Sequence, residues 1–244
     1  MRNTIQFILD GKIVLLDFQQ SIVKPTTTVL NYLRSLPTHK GVKEGCAEGD
    51  CGACTVVLGE KSSDGKIHYK HIDSCLVFLP MLHGKQLLTL ENLKTENSEL
   101  HPVQSAMVET GGSQCGFCTP GIIMSLFSLY KNKKNPTRNE IDDSLTGNLC
   151  RCTGYKTIIE AAAQSCVNDS KDQFTNHEPQ IANLLKSISN ESIHIQTKKQ
   201  NYFQPKSLNE VLELKDKFPE AIVINGATDV ALRVTKKHEL LKEI

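Results

Sequence analysis

Nine cysteines stand in a chain of 244 residues, and eight of them fall into two groups. The first is Cys46-x4-Cys51-x2-Cys54, with Cys75 downstream. Thiolates at that spacing are a recurrent ligand set of a [2Fe–2S] centre. Such a centre asks for four thiolates, because each tetrahedral iron shares two bridging sulfides with the other. Gly45, Gly49 and Gly52 lie among these cysteines. Glycine admits positive φ and lets backbone N–H groups approach sulfur, which eases an electron-rich reduced state. Zinc is the competing reading, although it more typically takes paired C-x2-C units.

The second group is Cys115-Gly116-Phe117-Cys118, followed by Cys150-Arg151-Cys152. Cys115 and Cys118 precede Thr119-Pro120, where a helix is predicted to begin, and the positive end of a helix suits an anionic cluster. Cys150 and Cys152 would point to different sides of a helix, so a turn or extended loop is predicted, flanked by Gly147 and Gly154. On spacing alone, C-x2-C…C-x-C serves zinc as well as iron and sulfide. Cys166 is predicted to be a small buried hydrophobe on a helix stripe.

A third motif, Ile224-Asn225-Gly226-Ala227-Thr228-Asp229-Val230, follows a predicted strand at 221–224. Glycine there lets backbone amides reach phosphate oxygens, and Thr228 can add a hydroxyl donor. Taken bare, the motif also fits an ordinary strand–turn. The eight histidines show no paired metal spacing, and His68 and His71 read as solvent-facing. Lys131, Lys133 and Lys134 form a basic run at a helix end, where they suit the dipole. No serine–histidine–acid pattern emerges, so no catalytic residue is assigned.

The elements that must position these residues change period along the chain. Residues 4–18 read as a hairpin: Ile5, Phe7 and Leu9 alternate with Thr4, Gln6 and Ile8, and Asp10-Gly11 signals a type I′ turn. Val29, Leu30, Leu33 and Leu36 form a helical stripe that Pro37 stops. Strands are predicted at 53–59, 66–70 and 86–90. This gives a small α+β domain over 1–93. A four-helix domain is predicted over 98–168. Its helices are marked by Val103, Met107 and Val108; by Ile122, Ile123, Leu126, Phe127 and Tyr130 behind a Thr119 cap with Pro120 first; by a Thr137/Glu140 capping box; and by Ile158 to Val167. Residues 169–197 read as a connecting segment with a short helix around Ile181 to Ile188. A third pattern fills 198–244, opening with a helix from Leu208 to Lys217.

Composition closes off other classes. Basic and acidic side chains number 28 and 27, a formal charge of +1. That gives no electrostatic case for nucleic acid or an anionic membrane. No apolar run approaches the ~18 residues of a spanning helix, and the amino terminus enters a strand pattern with no secretory h-region. Clustered cysteines in odd number fit metal ligation in a reducing cytosol better than disulfides. The expectation is a soluble cytoplasmic protein.

Three stretches carry a family resemblance: Gly45-Cys46 through Cys54-Thr55, Gln114-Cys115-Gly116-Phe117-Cys118-Thr119-Pro120-Gly121, and Gly147-Asn148-Leu149-Cys150-Arg151-Cys152-Thr153-Gly154-Tyr155. In order, and across nearly the whole chain, they resemble the iron–sulfur half of the molybdenum hydroxylases, the xanthine oxidase family. The resemblance implies an α+β chain of three parts. These are a ferredoxin-like β-grasp domain with a plant-type [2Fe–2S] centre, a four-helix domain with a second [2Fe–2S] centre, and the start of an α+β FAD-binding domain. It implies ligation by Cys46, Cys51, Cys54 and Cys75 in the first and by Cys115, Cys118, Cys150 and Cys152 in the second. In the family the helical-domain cluster faces molybdopterin and the plant-type cluster faces the flavin. Cys152 matches the ligand that lies against the pterin, and Gln114 matches a glutamine that hydrogen-bonds it. Residues 224–230 match the first flavin-pyrophosphate loop, where the family commonly has two adjacent glycines and this chain has Gly226-Ala227.

The function so implied is that of an electron-transfer subunit, most closely of the xanthine dehydrogenase type. Molybdopterin and the bond chemistry would sit on a large partner subunit, and electrons would leave through FAD to NAD. Aldehyde, carbon monoxide and nicotinate hydroxylases share these domains. A freestanding ferredoxin-like carrier is the reading from a different class. The family's flavin domain continues well beyond this point, so its site is expected to be incomplete here and the chain to be a fragment or the product of a split gene.

Overall fold

The computed structural model describes residues 3–94, 99–167 and 172–244. Strands β1 (Thr4–Leu9) and β2 (Lys12–Asp17) form an antiparallel hairpin. Asp10 and Gly11 turn it with φ of 53° and 71°, both left-handed as a type I′ turn requires. Helix α1 (Val29–Ser35) starts where the Thr28 side chain accepts the Asn31 N–H at 3.2 Å and ends at Leu36, before Pro37. β3 (Thr55–Lys61), β4 (Ile67–Asp73) and β5 (Gln86–Leu88) complete a five-stranded sheet in the order β2-β1-β5-β3-β4. β5 runs parallel to β1, and the other pairs are antiparallel.

Alternation along the strands feeds two cores, because successive side chains leave opposite faces. Ile5, Phe7, Leu9, Val56, Leu58 and Leu87 join Val29, Leu30 and Leu33 on the α1 side. Ile8, Val57, Tyr69 and Leu88 face the helices that follow. Ile8, placed by sequence among the polar alternates, is therefore fully buried.

Those helices are α2 (Pro102–Glu109), α3 (Thr119–Asn132), α4 (Arg138–Leu145) and α5 (Lys156–Ser165). α3 is central. Every residue from Pro120 to Leu129 is buried, and the helix lies against β3 and β4 while touching α2, α4 and α5. Ser128 Oγ and Asn132 Nδ2 both donate to the Tyr69 carbonyl, at 3.0 and 2.7 Å. The Thr137/Glu140 capping box forms as predicted. The residue capping α3 is Cys118, one position before the predicted Thr119, so Thr119 and Pro120 fill the first turn. Val108 lies off the buried stripe and is exposed.

Further features go beyond or depart from the sequence reading. Helix α6 (Gln173–Ser187) occupies much of the expected connecting segment. It is capped by Asp172, whose carboxylate accepts the Thr175 N–H at 2.8 Å, and it runs through Pro179. Phe174, Ile181, Leu185 and Ile188 pack it into the sheet–helix core, which is why it starts earlier than its own periodicity suggests. Secondly, Lys131 does stand in the last turn of α3, the helix end expected for it, and its buried side chain adds a partner the sequence did not show: its ammonium lies 2.9 Å from Asp172 Oδ1. Finally, residues 221–224 form no strand. A strand needs a ladder of partners, whereas this run gives Ile222 N–H to Glu243 O at 3.0 Å.

β6 (Ile193–Gln196) and β7 (Asn201–Gln204) pair antiparallel, an element the sequence reading left as linker and loop. α7 (Leu208–Lys217) and α8 (Val230–Thr235) follow. Ile193, Ile195, Tyr202, Ala231, Leu241 and Ile244 pack into the α1-side core, and buried Gln200 bonds Thr26 there. The boundaries expected between 93 and 98 and at 168 fall largely on residues 95–98 and 168–171, outside the described ones.

Candidate metal centres

The loop before β3 turns through Ala47, Gly49 and Gly52, with φ of 55°, 84° and 65°. These left-handed positions aim backbone N–H groups at sulfur. Cys46 Sγ accepts from Glu48 and Asp50 at 3.4 and 3.3 Å, and Cys51 Sγ accepts from Cys46 N–H at 3.3 Å. A methyl group on Gly45 would stand 2.8 Å from Cys51 Sγ, so the close approach requires glycine. Cys54, just before β3, and Cys75, just after β4, are buried. Ser74 Oγ ties their segments by donating to the Cys54 carbonyl at 2.6 Å.

The four thiols act on one another in pairs, Cys46 with Cys51 and Cys54 with Cys75. The Cys75 contact and burial push the Cys54 thiol far up. Burial also works against Cys46, but the N–H donors outweigh it and hold that thiol below its ordinary value.

The second quartet is built on α3. Cys118 caps the helix, and Cys115 precedes it through Gly116, with φ of 83°. Cys150 and Cys152 lie in the predicted loop, between α4 and α5. Tyr155 folds back in a left-handed conformation, φ 66°, so that its hydroxyl accepts the Cys150 N–H at 2.7 Å. Thr153 Oγ1 lies 3.1 Å from Cys150 Sγ. Cys118 pairs with Cys150, and Cys115 with Cys152. Burial, then the Cys150 neighbour, push the Cys118 thiol up to about 12. Cys115, Cys152 and Gln114 are exposed, while Cys150 is buried. Cys166 is buried and stands apart from both quartets, as predicted.

Among the described residues, no three His, Cys, Asp or Glu side chains gather about one point. The thiols come together two by two, a donor set that would suit a two-iron centre. Two adjacent thiolates repel, and a trivalent cation between them reverses that energetics. The donor set fits two-iron centres.

The two loops meet at a junction that sequence reasoning did not single out. Asn148 Nδ2 donates to Gly52 O and to Thr55 Oγ1, each at 3.1 Å, and its Oδ1 accepts from Ser125 at 2.5 Å. A methyl on Gly121 would lie 2.0 Å from Gly52 O. No periodicity marks these residues; their spacing acquires meaning only when the two domains touch.

Ile224, Asn225 and Gly226 border a cavity of about 410 Å³, together with Met81, Lys85 and Tyr202. Ala227 is buried at φ 60°, the conformation a second glycine would take without strain. Thr228 and Asp229 are exposed, outside the cavity lining, and Val230 opens α8.

Residues 13–78 match the family described as "2Fe-2S iron-sulfur cluster binding domain", and residues 89–163 match the family described as "[2Fe-2S] binding domain". Two such domains in tandem define a two-centre iron–sulfur protein. The xanthine dehydrogenase/oxidase of Felis catus is 32% identical over 98% of this chain, and the aldehyde oxidase of Homo sapiens is 33% identical over 95%. Quinoline 2-oxidoreductase from Pseudomonas putida 86 superposes with a TM-score of 0.55 at 28% identity, covering 76% of this chain and 98% of that one. The chain belongs to the molybdenum hydroxylase family that includes xanthine dehydrogenase and aldehyde oxidase, and corresponds to its iron–sulfur part. It spans 20% of the length of each of those two curated relatives.

Proposed function

We propose that this chain is the electron-transfer portion of a molybdenum hydroxylase of the xanthine dehydrogenase type. Cys115, Cys118, Cys150 and Cys152 hold one [2Fe–2S] centre, and Cys46, Cys51, Cys54 and Cys75 hold the other. When bound, each centre supplies storage for one electron. The observation that carries the reading is the pairing of eight thiols into two quartets, one in each matched domain, with their loops in contact.

Exposure supports a direction. Cys115 and Cys152 lie open at the surface beside Gln114, where a molybdopterin-binding partner subunit can reach them. The Cys46 quartet is less exposed, with Cys54 and Cys75 buried, and lies in the domain against which the 224–230 loop packs. That loop borders the cavity assigned to FAD, with NAD as the final acceptor. The protein's own residues carry no bond chemistry; they fix distances and hold N–H donors on sulfur. A cytoplasmic location accords with reduced cysteines, and no helix among the described residues is long and apolar enough to cross a membrane.

Metal analysis of the chain purified without reconstitution tests the assignment. Two irons and two acid-labile sulfides are expected per centre, with two distinct [2Fe–2S] resonance signals after reduction. Stoichiometric zinc in place of iron overturns it.

A further inference from the structure

Lys236 lies just past α8 and caps its last turn, its N–H bonded to Leu232 O. Its Nζ reaches across to the first cysteine loop, donating to the carbonyl oxygen of Cys46 and standing 3.5 Å from Glu48 Oε2. Glu48 in turn gives its N–H to Cys46 Sγ. One ammonium from the segment that carries the 224–230 loop thus touches both the backbone and the charge of the loop holding the first thiol pair. Glu44, Glu48 and Asp50 flank Cys46, and Lys43, beside Glu44, turns its ammonium to the Lys40 carbonyl. Arg34 faces Glu44 at 3.9 Å, which leaves Lys236 as the cation on the Glu48 side.

A [2Fe–2S] centre gains one negative charge on reduction, and its potential responds to nearby charge and to hydrogen bonding about sulfur. A carboxylate beside it disfavours the added electron, and an ammonium favours it. From this geometry we infer that Lys236 is a positioning residue: it seats the Cys46 loop and raises the reduction potential of the Cys46/Cys51/Cys54/Cys75 centre. The segment bearing the 224–230 loop thereby draws the electron toward its own side. The inference rests on the cluster assignment proposed above.

Potentiometric titration of the full chain, with each centre followed by its own resonance signal, tests it. Lys236→Met should lower the reduction equilibrium constant of that centre about threefold, the effect of a half-exposed charge. This is about 30 mV at 59 mV per tenfold for one electron. The second centre should not move. Lys236→Arg should restore the native value, and Glu48→Gln should shift the same centre upward. An unchanged potential in Lys236→Met, or equal shifts of both centres, rejects the inference while two intact signals leave the cluster assignment standing. Absence of both signals from the native chain removes the assignment and the inference with it.

Discussion

The backbone N–H of Leu149 donates to the carbonyl oxygen of Cys51 at 3.0 Å. Leu149 is bonded directly to Cys150, so one hydrogen bond joins Cys51 of the first quartet to the main chain next to Cys150 of the second. Asn148, next in sequence, braces that contact from beneath with its bonds to Gly52 and Thr55.

Asn148→Leu should therefore lower stability by about 2 kcal/mol, because the Gly52 carbonyl and Ser125 hydroxyl lose a buried partner. It should also slow electron exchange between the centres. Denaturant unfolding and rapid-mixing spectra measure the two effects. An exchange rate equal to the native one would separate Asn148 from the electron route.

Substitution of single ligands should damage different steps. Cys51→Ser should remove the first centre's signal and block delivery to flavin. Cys150→Ser should interrupt reoxidation of molybdenum in the assembled enzyme. If Cys150→Ser leaves the first centre reducing at its normal rate with substrate, the order of the centres is reversed.

Asp172 is held by buried charge. Burial opposes its ionisation, but His101 and Lys131, at 3.2 and 2.9 Å, hold its carboxyl well below the usual range. The Val103 N–H is accepted by His101 Nδ1, so Nε2 carries the proton given to Asp172. A depressed folded-state value stabilises fully above the unfolded value near 3.9 and loses that contribution as pH falls below it. Asp172→Asn leaves Lys131 buried without a counter-charge and should cost about 3 kcal/mol, roughly 6–12 °C in melting temperature. The gap between native and variant melts should narrow as pH falls below about 4. A gap that persists undiminished well below that pH rules out the carboxylate as its source.

Ala227 holds a left-handed backbone, φ 60°, that costs an L residue about 1 kcal/mol. Ala227→Gly should relieve that strain and raise the melting temperature of the carboxy-terminal segment, read by hydrogen exchange at Ala231, whose N–H bonds Ala227 O. Faster exchange there in the variant would contradict a strained alanine.

The isolated chain should retain FAD weakly. A cavity of about 410 Å³ sits near the low end for drug-sized ligands, and a dinucleotide is larger. Acid-released flavin, quantified by fluorescence, should be well below one per chain; a full equivalent would show that the residues around this cavity suffice.

Local signals were legible in the sequence. Asp10-Gly11 and the Thr137/Glu140 box act within a few residues, and both form as read. The cysteine grouping was legible for the same reason, since its spacing is a local constraint on a loop. Where partners are remote, the signal weakens. Lys131 and Asp172 find each other only once α3 and α6 are packed, so the sequence showed the lysine's place at a helix end but not its buried partner. α6 carries Pro179 and sparse apolar positions, and its stability comes from the sheet beneath Phe174 and Ile181. Residues 221–224 have the apolar run of a strand, yet strand identity depends on a neighbour's ladder. Asn148 reads as one more loop asparagine until Gly52 is beside it.

The clash at Gly121 bears on whether these domains are interchangeable parts. A side chain there would lie 2.0 Å from Gly52 O, and one at Gly52 would lie 2.3 Å from Gly147 O. Each domain's surface is therefore notched to admit the other. A chimera that grafts a freestanding ferredoxin onto the helical domain would need glycine at 52 as well as 121, with Asn148 opposite, before the cysteine loops could meet. At this junction the fit between the modules depends on three residues that lie outside both thiol quartets, and these should be transplanted together.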